Sequence, residues 1–158
     1  MEVKIFVETS WASPGKTCGV GMWIVEAGPK RVQRRGFVRI SEATAQQAQL
    51  RTLTAALDIL IRPCEIRIIT SDPMLGDLTS GRVERWKEAG WTGSAGSPVK
   101  NRGEWESVLA GMETHRLLGV EGGDHEKKTA MMLQICDELK KWKNEVVHTT
   151  FYVGKEEA

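Results

Sequence analysis

The segment EIRIITSD, residues 65–72, constrains the fold of this chain more than any other stretch. Its apolar run is nearly continuous and stops at an aspartate, as in a strand buried on both faces of a sheet. The alternating run KIFVE, residues 4–8, lies upstream, and a leucine-rich segment over residues 44–61 lies between the two. A strand, a helix and a second strand form a crossover unit, so the two strands are predicted to be parallel.

Other segments extend this unit at both ends. After a turn in WASPGKTCG, the runs GVGMWIVEAG and VQRRGFVRI predict two further strands linked as hairpins. Residues 73–112 are typical of short helices broken by Gly and Ser, THRLLGVEG predicts a fifth strand, and residues 125–143 predict a closing helix. The pattern indicates an α/β fold in which parallel strands extend an antiparallel meander.

The helix predicted over residues 44–61 carries a polar residue at the head of its apolar face. Apolar residues recur at helical spacing from Leu50 to Ile61, and Pro63 is expected to end the helix. Gln49 lies four residues before Leu53, so its side chain leans toward the core and needs a polar partner there.

Composition excludes several classes of protein. The chain has 158 residues, 41% of them hydrophobic and 27% charged, which is typical of one soluble domain. No apolar run approaches a membrane span, and the first residues lack a signal-peptide pattern, so we expect a cytoplasmic protein without a membrane partner. Cys18, Cys64 and Cys136 lack metal-binding spacing and are predicted to be reduced core thiols.

The net charge of +1 does not by itself indicate a nucleic-acid binder. Basic residues nevertheless concentrate in one segment: Lys30, Arg31, Arg34, Arg35 and Arg39. Two interpretations stay open for them, a solvated strand face and a surface that contacts phosphate.

Acids follow the apolar runs of both parallel strands. Glu8 closes the first run and Asp72 the second, and the carboxyl ends of parallel strands meet at one edge of a sheet. The start of the helix that carries Gln49 points to the same edge. Clustered acids need a cation, and two Mg²⁺ or Mn²⁺ ions are the usual apparatus for displacement at phosphorus. The alternative is that Asp72 caps a helix starting at Pro73 and that Glu8 is a solvated strand end.

With these residues the chain resembles type 1 ribonuclease H, the metal-dependent nucleases that cut the RNA strand of RNA/DNA hybrids. The resemblance spans residues 3–143 and rests on IFVETS through PGKTCGVGMWI, on TAQQAQLRTLTAALDIL, on CEIRIITSD and on the CDEL stretch at 136–139. Its most specific part is RWKEAGWTGSAGSPVKNRGEW, which matches the family's hybrid-gripping protrusion. It implies a ribonuclease H-like fold over residues 1–143, a five-stranded mixed sheet flanked by helices, with residues 144–158 as a C-terminal extension.

The resemblance also implies an active site of four carboxylates and a mobile histidine. Matched by motif, the positions that would hold two Mg²⁺ or Mn²⁺ ions are Glu8, Gln49, Asp72 and Asp137, and the histidine that assists product release is His125. Glu8 stands where the family has Asp, and Gln49 stands where it has Glu. One negative charge is thereby lost, and we expect activity to be reduced by ~10- to 100-fold or more.

Substrate-binding positions implied by the resemblance lie in the first turn, the start of the first helix and the protrusion. They are Ser10, Thr44, Gln46, Trp86, Lys87, Trp91 and Lys100. The two tryptophans contact the DNA strand or else pin the protrusion to the body, and the sequence leaves both interpretations open.

Three functions are therefore considered for a chain expected to be a monomer. The first is a metal-dependent endonuclease acting on RNA/DNA hybrids, with reduced or altered activity. The second is a catalytically inactive module that binds a hybrid or another duplex. The third is a nuclease for other nucleic acids, with a metal site rebuilt from acids such as Asp124 or Glu42.

Overall fold

One mixed β-sheet organises the chain. The computed structural model describes residues 1–11, 18–93, 95–143 and 151–157, so the turn predicted in WASPGKTCG lies largely outside the described residues. The strands are β1 (Glu2–Trp11), β2 (Cys18–Ala27), β3 (Val32–Ser41), β4 (Glu65–Thr70), β5 (Arg116–Glu121) and β6 (Phe151–Glu157). The helices are α1 (Ala45–Asp58), α2 (Arg82–Glu88), α3 (Arg102–Met112) and α4 (His125–Lys143), with a 3₁₀ helix at Pro73–Leu78.

The strand order confirms the predicted topology. The sheet runs β5-β4-β1-β2-β3-β6, with β1, β2 and β3 antiparallel, β4 parallel to β1, and β5 parallel to β4. These five strands and their helices form the predicted fold. Beyond them, β6 pairs antiparallel with the outer edge of β3. Part of the predicted C-terminal extension, residues 151–157, is therefore a sixth strand of the same sheet.

Helices cover both faces of the sheet. Val3, Ile5 and Val7 of β1 share a core with α1, and this side is called the α1 face. Phe6, between them, packs with Ile135 of α4, and this side is called the α4 face. Because side chains alternate along a strand, Glu8 is directed to the α4 face, whereas Gln49 belongs to the helix of the α1 face.

The first helix begins as predicted and ends earlier. Thr44 caps it, accepting from the Gln47 N–H, and the Gln47 side chain accepts from the Thr44 N–H. The last helical residue is Asp58, because Leu60 N–H bonds to Leu57 O and tightens the final turn before the chain enters β4. The expectation that the apolar face continues to Ile61 was wrong, since this residue is 91% exposed.

Two further expectations are corrected by burial. Of the three cysteines, Cys64 is buried and Cys136 is exposed on α4, so the latter is not a core thiol. In the basic segment, Arg39 is buried beside Glu138 of α4, at 3.7 Å, and Arg35 donates to Gln134 of the same helix. These two arginines therefore pack under α4 instead of facing a phosphate.

Candidate active site at the end of β4

The candidate site lies where β1 and β4 separate. The last paired residues of the two strands are Val7 and Thr70, and β1 then continues to Trp11 beside β2 alone. Glu8 is therefore the first residue of β1 beyond β4, and it pairs across β2 with Met22. It was expected to close the strand, but it lies inside it and is only 8% exposed. The alternative of a solvated strand end is thus excluded.

Ser71 is the residue that contacts Glu8. Its N–H donates to Glu8 Oε2 at 3.1 Å, and its hydroxyl donates to Glu8 Oε1 at 2.5 Å. Asp72 was expected beside Glu8, and Ser71 was missed. The signal was the register of the parallel pair: Val7 opposite Thr70 puts Ser71, not Asp72, next to Glu8.

Asp72 has the capping role that was held as the alternative. Its Oδ1 accepts from the Met74 N–H at 2.8 Å, and Pro73 occupies the first position of the 3₁₀ helix. A carboxylate at such a helix start is favoured by the free N–H groups there. One oxygen of Asp72 is thus used to shape the turn after β4.

Gln49 meets the same stretch of chain from the α1 face. It is 1% exposed, and its Nε2 donates to Thr70 Oγ1 at 3.1 Å. Thr70 Oγ1 also accepts from the Asp72 N–H, at 3.3 Å. The Gln49 amide oxygen is buried and has no hydrogen-bond partner among the described residues. Such an oxygen is costly unless it meets a donor or a cation.

A close approach of helix to sheet brings Gln49 to this position. A Cβ on Gly21 of β2 would lie 1.8 Å from Thr52 Oγ1, one helical turn beyond Gln49. Only glycine lets α1 pack this near to β2. The glycine thus helps to place the start of α1 at the end of β4.

The remaining predicted site residues are not gathered here. Asp137 lies in the second half of α4 on its exposed side, and its neighbour Glu138 is the buried one, next to Arg39. His125 is exposed and is the first residue of α4, not part of a loop. Asp124 accepts from the Lys127 N–H at 2.7 Å. Within residues 1–11, 18–93, 95–143 and 151–157, no three Asp, Glu, His or Cys residues form a group that would hold a metal.

The donors present differ from those that a pair of ions needs. Glu8, Asp72 and the Gln49 amide oxygen are hard oxygen donors, which suit Mg²⁺ or Mn²⁺. Both Glu8 oxygens already accept hydrogen bonds, and an amide oxygen carries no charge to offset a dication. The two-ion set implied by the resemblance therefore does not fit this arrangement.

A cleft of about 630 Å³ lies on the other side of the α1 start. Thr44 and Gln46 line one wall, and Trp86 and Lys100 line another. The 3₁₀ helix contributes Met74 and so connects the cleft to the turn that Asp72 caps. The substrate positions at the α1 start and in the protrusion thus share one concave surface, whereas Ser10 lies within the β1–β2 ladder.

The two tryptophans of the protrusion have different environments. Trp91 is 8% exposed, adopts a positive φ of 64°, and has the Arg102 guanidinium 5.7 Å from its ring centroid. Trp86 is half-buried and meets Trp105 edge to face at 5.8 Å. Burial favours the pinning interpretation for Trp91. For Trp86, pinning and exposure to the cleft are combined.

The described part of the chain contains no helix long and apolar enough to cross a membrane.

Comparison with known families gives one consistent result. The model of the RNase H family matches residues 1–122. A ribonuclease H of Actinobacillus pleuropneumoniae serotype 5b (strain L20) is 27% identical over 142 residues, covering 88% of each chain. A ribonuclease H of Thermus thermophilus is 36% identical over 75 residues, covering 47% of this chain and 45% of the relative.

Solved structures resemble the fold at low sequence identity. LC9-RNase H1, described as a type 1 RNase H with the type 2 active-site motif, has a TM-score of 0.70 at 16% identity, covering 93% of this chain and 82% of that one. A foamy viral protease-reverse transcriptase in complex with an RNA/DNA hybrid has a TM-score of 0.59 at 11% identity, covering 83% of this chain and 18% of that one. Both likenesses concern the fold.

Proposed function

Because the chain belongs to the ribonuclease H family, we propose that it acts on RNA/DNA hybrids as a metal-dependent endonuclease with reduced activity towards the RNA strand. One observation carries the proposal. Glu8, Gln49 and Asp72 all meet residues 70–72 at the end of β4, next to a cleft lined by the start of α1 and the protrusion. The predicted acid positions and the predicted hybrid-binding positions therefore lie side by side.

The family generally uses divalent metal ions. In this chain Glu8 and Asp72, with the uncharged Gln49 oxygen, would hold Mg²⁺ or Mn²⁺. Such an ion supplies Lewis-acid stabilisation of charge on the attacked phosphate. With only these donors we expect the ion to bind weakly, and Asp137 stays a candidate for the remaining charge.

The cleft offers the chemistry that a hybrid needs. Thr44 and Gln46 are exposed polar residues at a helix start, suited to the 2′-hydroxyls that distinguish RNA from DNA. Lys87 and Lys100 are exposed cations near the cleft, suited to phosphates. Trp86 presents a half-buried ring on which a sugar or base can pack. These groups bind and orient the duplex and need no ion.

The reduced rate follows from two uncharged side chains. Gln49 replaces a carboxylate expected from the resemblance, and Ser71 occupies the place beside Glu8. Losing one ligand or its support typically costs 10- to 100-fold in metal affinity or activity, so two such losses predict a decrease of ~100-fold or more.

The test is cleavage of an end-labelled hybrid in Mg²⁺ and in Mn²⁺, with double-stranded DNA and double-stranded RNA as comparison substrates. Slow cutting of the RNA strand of the hybrid, lost in chelator and in Asp72→Asn, is the expected result. Equal cutting of all three duplexes would remove the proposed specificity. Cutting that persists in Asp72→Asn would remove this residue from the site.

A second function is favoured by the Glu8–Ser71 contact. A carboxylate with both oxygens already hydrogen-bonded, in a site without a third acid among the described residues, also suits a hybrid-binding module that has lost cleavage. A mobility shift of the hybrid that is unchanged by chelator, with no cleavage in either ion, would support this module and contradict the weak nuclease.

A further inference from the structure

Ser71 fastens Glu8 across the gap that opens between β1 and β4. Its N–H and its hydroxyl reach different oxygens of the same carboxylate, at 3.1 and 2.5 Å. The carboxylate is buried, at 8% residue exposure, so water competes little with either bond. Hydrogen bonds to an ionised acceptor are roughly twice as strong as neutral ones. This contact is therefore the main restraint on the Glu8 side chain that the structure shows.

The same two bonds oppose metal binding. A cation approaching Glu8 competes with the Ser71 hydroxyl for an oxygen lone pair, and the longer side chain of Glu lets the carboxylate reach Ser71. On the α1 face the situation is reversed, because the Gln49 oxygen is buried and has no partner in the described part of the chain. The charged donor is occupied, and the uncharged donor is open.

We propose that Ser71 is a positioning residue that ties Glu8 into a bridge between β1 and β4 and thereby weakens the affinity of this site for divalent ions. The inference rests on the proposed function, in which Glu8 is a metal ligand. It adds that one hydroxyl, and not only the missing carboxylates, sets the metal requirement of this chain. A purely structural bond would stabilise the fold and leave metal affinity unchanged.

The experiment measures Mn²⁺ binding to the full chain without nucleic acid, by isothermal titration calorimetry. Removing the hydroxyl in Ser71→Ala is expected to tighten Mn²⁺ binding about tenfold, because a charge-assisted hydrogen bond no longer has to be displaced. Ser107→Ala is the matched control, since Ser107 also loses one hydroxyl bond, to Gly103 O on α3, and lies outside the site. Equal Mn²⁺ affinity in wild type and Ser71→Ala would overturn the proposal.

Two further variants keep the test decisive if Ser71→Ala is less stable. Ser71→Thr keeps a hydroxyl and should bind Mn²⁺ as weakly as wild type, whereas binding as tight as that of Ser71→Ala would contradict the proposal. In Ser71→Ala combined with Glu8→Gln, the gain should vanish, because the carboxylate that was released is gone. A gain that survives Glu8→Gln would place the ion elsewhere and overturn the inference.

Melting curves give a second readout. Without metal, Ser71→Ala should melt below wild type, because a buried carboxylate loses one of its two partners, and Mn²⁺ should raise its Tm more than that of wild type. The cleavage assay decides the proposed function separately. Tighter Mn²⁺ binding by Ser71→Ala with no cleavage of hybrid by any variant would uphold the positioning role and reject the nuclease.

Discussion

The end of β4 and the cleft beside the protrusion lie next to each other and differ in what they retain. At the end of β4, Gln49 and Ser71 are uncharged, and Glu8 is engaged by a neighbour. Around the cleft, a buried Trp91 and a capped α1 start hold a surface with exposed lysines. The difference shows that binding and chemistry depend on separate sets of residues. One set is able to weaken while the other persists.

The largest effect is expected from the tryptophan that supports the cleft. Trp91→Ala removes a buried ring and should lower the free energy of unfolding by about 3–5 kcal/mol. Denaturant unfolding measures the loss, and hybrid affinity should fall with it because the protrusion loses its anchor. Mn²⁺ affinity of the folded fraction should stay unchanged. A parallel loss of Mn²⁺ affinity would mean that the two regions are not separate.

The packing that brings Gln49 to β4 is tested by one methyl group. Gly21→Ala forces a Cβ against Thr52 and should cost about 1–3 kcal/mol of stability, since α1 or β2 has to shift. Thermal melting measures this. Gly119→Ala is the control, because a Cβ there meets no atom within 4 Å. If both variants melt alike, the close approach of α1 to the sheet is not what fixes Gln49.

The phosphate contacts of the cleft are tested by removing two lysines. Lys87→Ala with Lys100→Ala should weaken hybrid binding about tenfold and lower the steepness of its salt dependence by about two contacts. Filter binding across a salt gradient is the measurement. Lys30→Ala, in the turn between β2 and β3, should leave binding unchanged. A comparable loss in Lys30→Ala would move the phosphate surface to the basic segment.

The smallest effect is expected at the helix start. Thr44→Ala loses the side-chain cap of α1 and should cost about 1 kcal/mol of stability, while Thr44→Ser should restore most of it. Chemical denaturation of the three proteins checks the order. If Thr44→Ala loses hybrid affinity without losing stability, Thr44 contacts the substrate directly and its cap contributes little.

The fold was predictable because its signals are local. The buried run in EIRIITSD, the alternation of KIFVE and the leucine spacing after Gln49 fix a strand, a strand and a helix, and the crossover rule then makes β1 and β4 parallel. The end of α1 was less predictable. Ile61 continues the apolar spacing but is exposed, because the chain has already left the helix to reach β4.

The site was only partly predictable because it depends on register. Glu8 and Asp72 follow apolar runs, but which residue stands beside Glu8 depends on how β1 and β4 are aligned, and that alignment places Ser71 there. Likewise, a motif match selected Asp137, whereas the rotation of α4 buries Glu138 and exposes Asp137. Neither fact can be read from spacing within one segment.

Restoring charge at the end of β4 tests most directly whether the lost carboxylates limit the chemistry while the cleft still binds. The measurement is the single-turnover cleavage rate of a labelled RNA/DNA hybrid in Mn²⁺, at saturating protein, for wild type and for Gln49→Glu combined with Ser71→Asp. We expect a rate about 100-fold higher in the double variant, with unchanged hybrid affinity, because two carboxylates return to a site beside an intact cleft. Equal rates in the two proteins would contradict this expectation.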